Sequence, residues 1–183
     1  MASLGLAIQA MHQFYGVPHI VITSVSLAHP DHPDASLSVV GSTMTSSRRS
    51  RPFKIVFPAI DCYFSGTGDM FAALTVVRIR EAVWNSPGLS ETESWRSPDE
   101  VDALELPLAK ACERVLASMH EVLTKTREAM GRAGVSVEVN GKGMSDDDKK
   151  KARLLKSKAA ELRLVRHLDS LRLPKVQFHP ARM

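Results

Sequence analysis

Cysteines, aromatic residues and long apolar segments are all scarce in this chain. Its 183 residues include only two cysteines, Cys62 and Cys112, which lie far apart and form no CxxC motif, so we expect free thiols in a reducing compartment. No segment is long and apolar enough to span a membrane, and the N-terminus lacks a basic stretch followed by an apolar one. We therefore expect a cytoplasmic protein, with the nucleus as a second compartment, that does not bind membranes.

The balance of charge is mildly basic. Lysine and arginine number 24 against 20 acidic residues, which gives a formal net charge of +4. This surplus suits a phosphate-rich ligand but does not call for nucleic acid, and aromatic stacking residues are absent around the basic C-terminal end. We interpret the arginines at 48, 49 and 51 as a solvated turn in preference to a phosphate clamp. The segment 29–34, with two histidines and two prolines, is interpreted as a loop in preference to a metal site.

Hydrophobic spacing predicts alternating helices and strands in the first sixty residues. The β-branched run at 19–25 is typical of a buried parallel strand, and two shorter strands at 37–42 and 53–57 are expected to pair as a hairpin. A helix over residues 3–15 is expected to bury the apolar residues that recur at helical spacing: Leu4, Ile8, Met11 and Tyr15.

Two further helices are predicted downstream, from Asp69 to about Trp84 and from Pro107 to the glycines at 131 and 134. Residues 88–105, between them, are interpreted as a surface loop. The second helix carries an apolar stripe that we expect to face the core: Leu108, Cys112, Val115, Leu116, Met119, Val122, Leu123 and Thr126.

A glycine turn that runs directly into a helix stands at residues 64–74, FSGTGDMFAAL. Gly66 and Gly68 lack Cβ atoms, so the backbone there is able to adopt positive φ and to approach a ligand closely. The first N–H groups of the helix have no partners within it, and the helix dipole adds partial positive charge at the same point. The turn is therefore predicted to bind phosphate.

Asp69 places a carboxylate in this turn. As a purely structural residue it would be a helix N-cap. A carboxylate beside a bound phosphate is repelled by it, however, and this favours a second role. In that role Asp69 accepts the proton of a hydroxyl group that attacks the phosphoryl group.

The turn Gly66-Thr67-Gly68-Asp69, followed by Met-Phe-Ala-Ala-Leu, resembles the signature of the ribokinase-like small-molecule kinases, and most of all that of the pyridoxal kinases. Three further stretches carry the same resemblance in the right order, and together they cover most of residues 1–130: 18–24 (PHIVITS), 58–64 (PAIDCYF) and 110–123 (KACERVLASMHEVL). The similarity is to the C-terminal half of such a kinase. It implies a partial ribokinase-like α/β fold, with an open, mostly parallel sheet flanked by helices and with the N-terminal strands absent.

The resemblance also implies an activity, which is the ATP-dependent phosphorylation of the hydroxymethyl group of pyridoxal, pyridoxine or pyridoxamine. Asp69 would be the general base, and the turn residues Gly66, Thr67 and Gly68 would form an anion hole, with Gly68 and Asp69 next to the acceptor. Mg²⁺ and a monovalent cation such as K⁺, the latter near Thr23, are the implied metals, and the complete enzyme is expected to be a homodimer. The residues implied to bind ATP are Thr23, Ser24, Ile60, Asp61, Cys62, Phe64 and Leu123.

The organisation of the chain follows from the same comparison. Residues 1–131 are assigned to the nucleotide-binding half of a kinase domain, 132–150 to a flexible linker, and 151–183 to a basic tail. Within the tail, residues 153–155 suggest a last edge strand, while apolar residues from 159 to 168 suggest a short helix. Because the resemblance does not include the N-terminal half of these kinases, two alternative hypotheses stay open. The chain is a nucleotide-binding or dimer-forming remnant without catalysis, or it is another ribokinase-like small-molecule kinase.

Overall fold

The computed structural model describes residues 2–26, 35–132 and 145–183. The predicted loop at 29–34 and residues 133–144 of the predicted linker lie outside the described residues. The main elements are five helices and four strands in the described residues: α1 (Ala2–Tyr15), β1 (His19–Val25), β2 (Ser36–Thr43), β3 (Pro52–Pro58), α2 (Thr67–Trp84), α3 (Pro107–Arg132), α4 (Asp146–Ala159), α5 (Leu168–Arg172) and β4 (Ala181–Arg182). None of the described helices is long and apolar enough to cross a membrane.

The sheet is antiparallel, so the prediction of a mostly parallel sheet was wrong. Its four strands lie in the order β1-β2-β3-β4, and each adjacent pair is antiparallel. The expected hairpin of β2 and β3 is confirmed, with Val39 opposite Ile55. The β-branched composition of β1 fits either strand direction, whereas direction depends on which neighbour the strand pairs with. Here that neighbour is β2, the next strand along the chain.

The chain divides into two compact units. Unit 1 consists of Met1–Ala59, Ala73–Leu116 and Val176–Met183, and unit 2 consists of Ile60–Ala72 and Ala117–Lys175. The sheet lies in unit 1, and the glycine turn lies in unit 2.

Unit 1 buries both faces of β2 together with one face of α1. Phe53, Ile55 and Val39 on one face of the sheet, and Val40 on the other, have essentially no exposed surface. In α1 the buried residues are Ile8 and His12, whereas Met11 and Tyr15, which were expected inside, are exposed. His12 is tolerated in the core because both ring nitrogens are satisfied. Its Nδ1 donates to the Val17 carbonyl oxygen at 2.6 Å, and its Nε2 accepts from the Ser42 hydroxyl at 2.8 Å.

Arg51 is buried, so the solvated turn predicted for the arginines is wrong at this position. Its guanidinium donates to the carbonyl oxygens of Ser97, Pro98 and Val101 at 2.7–3.1 Å and to those of Thr43 and Met44 at 3.3–3.4 Å. Arginine suits this role because its donors form a rigid planar fork. The side chain thereby fastens the segment 97–101 to the end of β2. Arg49, two positions earlier, is exposed as expected.

The long helix α3 begins at Pro107, as predicted, and its apolar stripe is buried. Cys112 within this stripe has no exposed surface, and burial raises the pKa of its thiol to about 12. Both cysteines are free, in agreement with the prediction, although Cys62 is only half-buried. Leu123 is half-buried at the edge of the stripe. Helical periodicity alone was therefore sufficient to orient this helix.

The C-terminal region differs from the sequence interpretation. Residues 146–159 form α4, so 153–155 are helical instead of forming an edge strand, and 146–150 are helical instead of belonging to a linker. The final residues of the tail return to the sheet as β4, where Ala181 pairs with Lys54 and Arg182 with Phe53. Phe178 packs against Phe57 with ring centroids 6.3 Å apart. This part of the basic tail is structural, since it adds a strand to the edge of β3.

Candidate functional site

The glycine turn has the conformation of a tight entry into a helix. Gly66 has φ of +85°, which a residue with a Cβ adopts only at a cost, and α2 begins at the next residue, Thr67. The carbonyl oxygen of Gly66 accepts the first bond of the helix, from the Met70 N–H at 3.0 Å. The N–H groups of Thr67, Gly68 and Asp69 therefore belong to the first turn, where a helix offers them no acceptor. Partial positive charge gathers at this point of the chain.

Gly68 has a different role from the one its sequence position suggested. It does not have positive φ, and it lies inside the first turn of α2. A Cβ built at this position would meet no described atom within 4 Å apart from the backbone of its own helix. The residue is exposed. The prediction of positive φ is therefore correct for Gly66 and wrong for Gly68, while the expectation of open space for a close approach fits Gly68.

Asp69 is exposed and occupies the first turn of α2. Asp69 is not the N-cap of α2, because the helix begins two residues before it, at Thr67. Since its side chain faces water and is not used to close the helix end, the carboxylate is accessible to a molecule above the turn. The following residue, Met70, is buried, so the first turn of α2 has one side exposed and one side covered.

A segment far along the chain holds the turn in place. The Ser65 N–H donates to the Ala160 carbonyl oxygen at 3.0 Å, and Ser65 forms a parallel bridge with Glu161. The Leu162 side chain lies 4.0 Å from the position that a Cβ on Gly66 would occupy. Sequence reasoning missed this support, and no signal in the sequence indicates it, because the pairing joins residues almost a hundred positions apart.

The chain is similar to known proteins in sequence and in fold. The chain is 31% identical over 128 residues to a Schizosaccharomyces pombe protein named a putative pyridoxal kinase, and the match covers 70% of this chain and 36% of that protein. A second S. pombe protein of the same description is 27% identical over 124 residues, which are 66% of this chain and 33% of that protein. Pyridoxal kinase from Leishmania donovani, solved in complex with ADP, matches all of this chain and 45% of its own at a TM-score of 0.62 and 21% identity.

The chain is similar to pyridoxal kinases. Its described residues share the fold of the solved L. donovani kinase, yet the chain spans about a third of the length of the curated relatives and less than half of the solved kinase. No protein-family model matches it.

Most of the other residues that the resemblance to pyridoxal kinases implies for ATP lie in unit 2 with the turn. The Cys62 N–H donates to the Ile60 carbonyl oxygen at 2.7 Å, which makes a tight turn just before the glycines. The Cys62 Sγ lies 3.9 Å from the Met130 Sδ, near the end of α3. Asp61 is exposed, whereas Phe64 and, on α3, Leu123 are half-buried.

Thr23 and Ser24, in contrast, lie in unit 1. Both are exposed at the end of β1, where the register with β2 shifts between Ile22 and Val25. Ser24 has φ of +55°, a conformation that is uncommon for a residue with a Cβ. Such bulges frequently redirect side chains at functional positions, and strained backbone is commonest there. A contribution of these two residues to nucleotide or cation binding stays a prediction.

The resemblance to pyridoxal kinases implies a Mg²⁺ ion and, near Thr23, a monovalent cation, and both ions need ligands from the chain or from the substrate. No group of three or more histidine, cysteine or carboxylate side chains is close enough to hold a metal ion in the part of the chain that the structure describes. Mg²⁺ commonly binds through one or two carboxylates together with substrate phosphates. An exposed carboxylate beside a turn that is predicted to bind phosphate is compatible with that kind of site.

Proposed function

We propose that this chain is the nucleotide-binding part of a pyridoxal kinase, which transfers the γ-phosphoryl group of ATP to the hydroxymethyl group of pyridoxal, pyridoxine or pyridoxamine. The observation that carries the proposal is the exposed carboxylate of Asp69 in the first turn of a helix that begins directly after the left-handed Gly66. The similarity to pyridoxal kinases, one of them solved with ADP, supports both the donor and the acceptor. We assign this activity to the cytoplasm.

The turn would act as the anion hole. The N–H groups from Gly66 to Asp69 would donate to the oxygens of the transferring phosphoryl group, on which charge accumulates in the transition state. Preorganised backbone donors are effective because they need no rearrangement during the reaction. The hydrogen bond from the Ser65 N–H to the Ala160 carbonyl oxygen, at 3.0 Å, would contribute to this preorganisation. The adenine would lie beside residues of the same unit: Ile60, Asp61, Cys62, Phe64 and Leu123.

Asp69 would act as the general base. Its carboxylate accepts the proton of the acceptor hydroxyl as that oxygen forms its bond to the γ-phosphorus, and the bond between the γ-phosphorus and the bridging oxygen breaks to release ADP. Mg²⁺, held mainly by the nucleotide phosphates, would supply charge neutralisation when bound, which leaves Asp69 free to accept the proton. Monovalent cation binding near Thr23 and homodimerisation of the complete enzyme belong to the same proposal.

The experiment that tests the proposal measures two properties of the purified chain: ATP binding by calorimetry, and ATP- and Mg²⁺-dependent formation of pyridoxal 5′-phosphate. We expect ATP to bind to the wild type and to Asp69→Asn with similar affinity. Turnover is measured in this chain and, if the chain alone is inactive, after joining it to the remainder of a kinase. The turnover rate of Asp69→Asn should be lower than that of the wild type by a factor of about 10² to 10⁴.

The results of these two measurements distinguish a kinase from a nucleotide-binding remnant. A chain that binds no ATP contradicts the proposal, and undiminished turnover in Asp69→Asn removes that residue from the mechanism. ATP binding without turnover, even with the remainder of a kinase supplied, would favour a nucleotide-binding remnant.

A further inference from the structure

A cavity of about 270 Å³ lies between the end of α2 and the start of α3, within unit 1. Its walls carry three basic side chains, Arg78 from α2 and Lys110 and Arg114 from α3. The proposed kinase reaction uses none of these residues, and the glycine turn belongs to the other unit. Because sites for drug-sized ligands usually enclose about 300–1,000 Å³, an occupant of this cavity would be small.

Two arginines at this cavity share one carboxylate oxygen. The Arg78 side chain is only 3% exposed, and its Nη1 donates to the Glu81 Oε2 at 2.7 Å. The Arg114 Nη1 donates to the same oxygen at 3.0 Å. A buried charge is costly unless an opposite charge balances it, and two neighbouring cations repel each other. One carboxylate balances one of the two guanidinium charges, so the pair keeps a surplus of one positive charge.

The remaining charges around the cavity do not remove this surplus. Lys110 pairs with Glu105 at 3.1 Å, and their side chains are 44% and 66% exposed, so the pair is weak and adds no net charge. Of the described residues that line the cavity, three are basic and only Glu105 is acidic. The dipoles of the two helices oppose each other here, since α2 ends where α3 begins, so the surplus comes from the side chains.

We propose that this cavity binds a phosphate group, either free or esterified to a small molecule. A guanidinium has five N–H donors in a planar fork that matches phosphate oxygens, and Glu81 engages one nitrogen of Arg114. Asn85 and Ser86, at the end of α2, add neutral polar groups to the wall. A phosphate would supply the negative charge that the two arginines require. This site is independent of the proposed kinase activity.

The test is a titration of the purified 183-residue chain with inorganic phosphate, followed by NMR at constant ionic strength. We expect the backbone amide signals of Asn85 and Ser86 to shift and to reach saturation. The amide signals of residues 67–69 are recorded in the same titration, because phosphate at the glycine turn would shift those signals instead. The two sites are therefore measured separately.

Three variants test the basic side chains. Arg114→Gln should weaken phosphate binding about tenfold or more, because it removes charge-assisted hydrogen bonds. Lys110→Gln should weaken it to a smaller extent, and since it breaks only an exposed ion pair, it remains informative if Arg114→Gln fails to fold. Arg80→Gln is the matched control, because Arg80 is an exposed arginine of α2 outside the cavity lining, and it should leave binding unchanged.

Several results would overturn the proposal and identify the cluster as a purely structural ion-pair network. They are shifts at Asn85 and Ser86 that do not saturate, shifts that sodium chloride reproduces, shifts confined to residues 67–69, and binding that Lys110→Gln leaves as strong as Arg80→Gln does. A parallel titration with phenyl phosphate distinguishes the two sources of the phosphate group. Tighter binding than that of inorganic phosphate assigns the cavity to a phosphate monoester, and weaker binding assigns it to free phosphate.

Discussion

The sheet of unit 1 and the glycine turn of unit 2 use their polar groups in opposite ways. Around the sheet, Arg51 and His12 are buried, and their nitrogens are engaged with backbone oxygens and the Ser42 hydroxyl. At the turn, Asp69 and Gly68 are exposed, and the first N–H groups of α2 have no acceptor within the helix. Residue type alone therefore does not identify a functional site. The three arginines at 48, 49 and 51 were interpreted as a solvated turn, but the fold buries Arg51, which binds backbone carbonyl oxygens.

The largest effect that would test this contrast is expected at Arg51. Arg51→Met keeps the aliphatic stem but removes the donors to five carbonyl oxygens, several of them buried. Because unsatisfied buried acceptors are costly, we expect the free energy of unfolding to fall by about 3 kcal/mol. Urea unfolding measures this, and Arg49→Met, an exposed neighbour, serves as the control. Similar small effects in both variants would mean that Arg51 is not a fastener.

Substitution of one glycine in each region allows their effects on stability to be compared directly. Gly41 in β2 lies opposite Phe53, and a Cβ there would stand 2.3 Å from the Phe53 ring, so Gly41→Ala should cost about 1–3 kcal/mol through overpacking. Gly68→Ala meets open space and replaces a glycine in a helix, so it should leave stability unchanged or raise it by up to about 1 kcal/mol.

The same two variants also distinguish function from structure. If nucleotide phosphate approaches the turn closely, Gly68→Ala should weaken ATP binding in calorimetry although it does not destabilise the fold. Gly41→Ala should affect ATP binding only as far as it reduces the folded fraction. A Gly68→Ala variant that binds ATP as well as the wild type would contradict a close approach at that residue.

A smaller effect is expected from pH. Burial lowers the pKa of His12 below its ordinary value of 6.5, against the opposing bond to the Val17 carbonyl, and burial also lowers the pKa of His19. The unfolded chain therefore takes up protons first as the pH falls through 6.5, and stability declines from there until the lowered pKa values of the folded chain are passed.

We expect each of these histidines to cost up to about 1 kcal/mol between pH 7.5 and 5.5, seen as a lower Tm. His12→Gln should reduce the slope of Tm against pH even if it lowers Tm throughout. An unchanged slope would show that His12 does not titrate differently in the folded and unfolded chain.

The sequence allowed accurate prediction where one short segment contains all the information. The turn at Gly66, the start of α3 at Pro107 and the buried stripe of α3 follow from local backbone preference and helical spacing, and the structure has all three. Helix α1 was placed correctly but its buried side only in part, because the helix has no charged residues to mark the side that faces water. Burial of His12, a polar residue, depends on a partner thirty positions away.

By itself, therefore, the sequence determined where the helices and strands lie up to α3 and which turn presents a carboxylate beside free helix N–H groups. Tertiary structure decided the antiparallel direction of β1, the burial of Arg51, the return of the tail as β4 and the support of Ser65 by Ala160. The physical reason is common to these four features. Each depends on hydrogen bonds or packing between residues far apart in the chain, and such pairings leave no periodic or local signal in either partner.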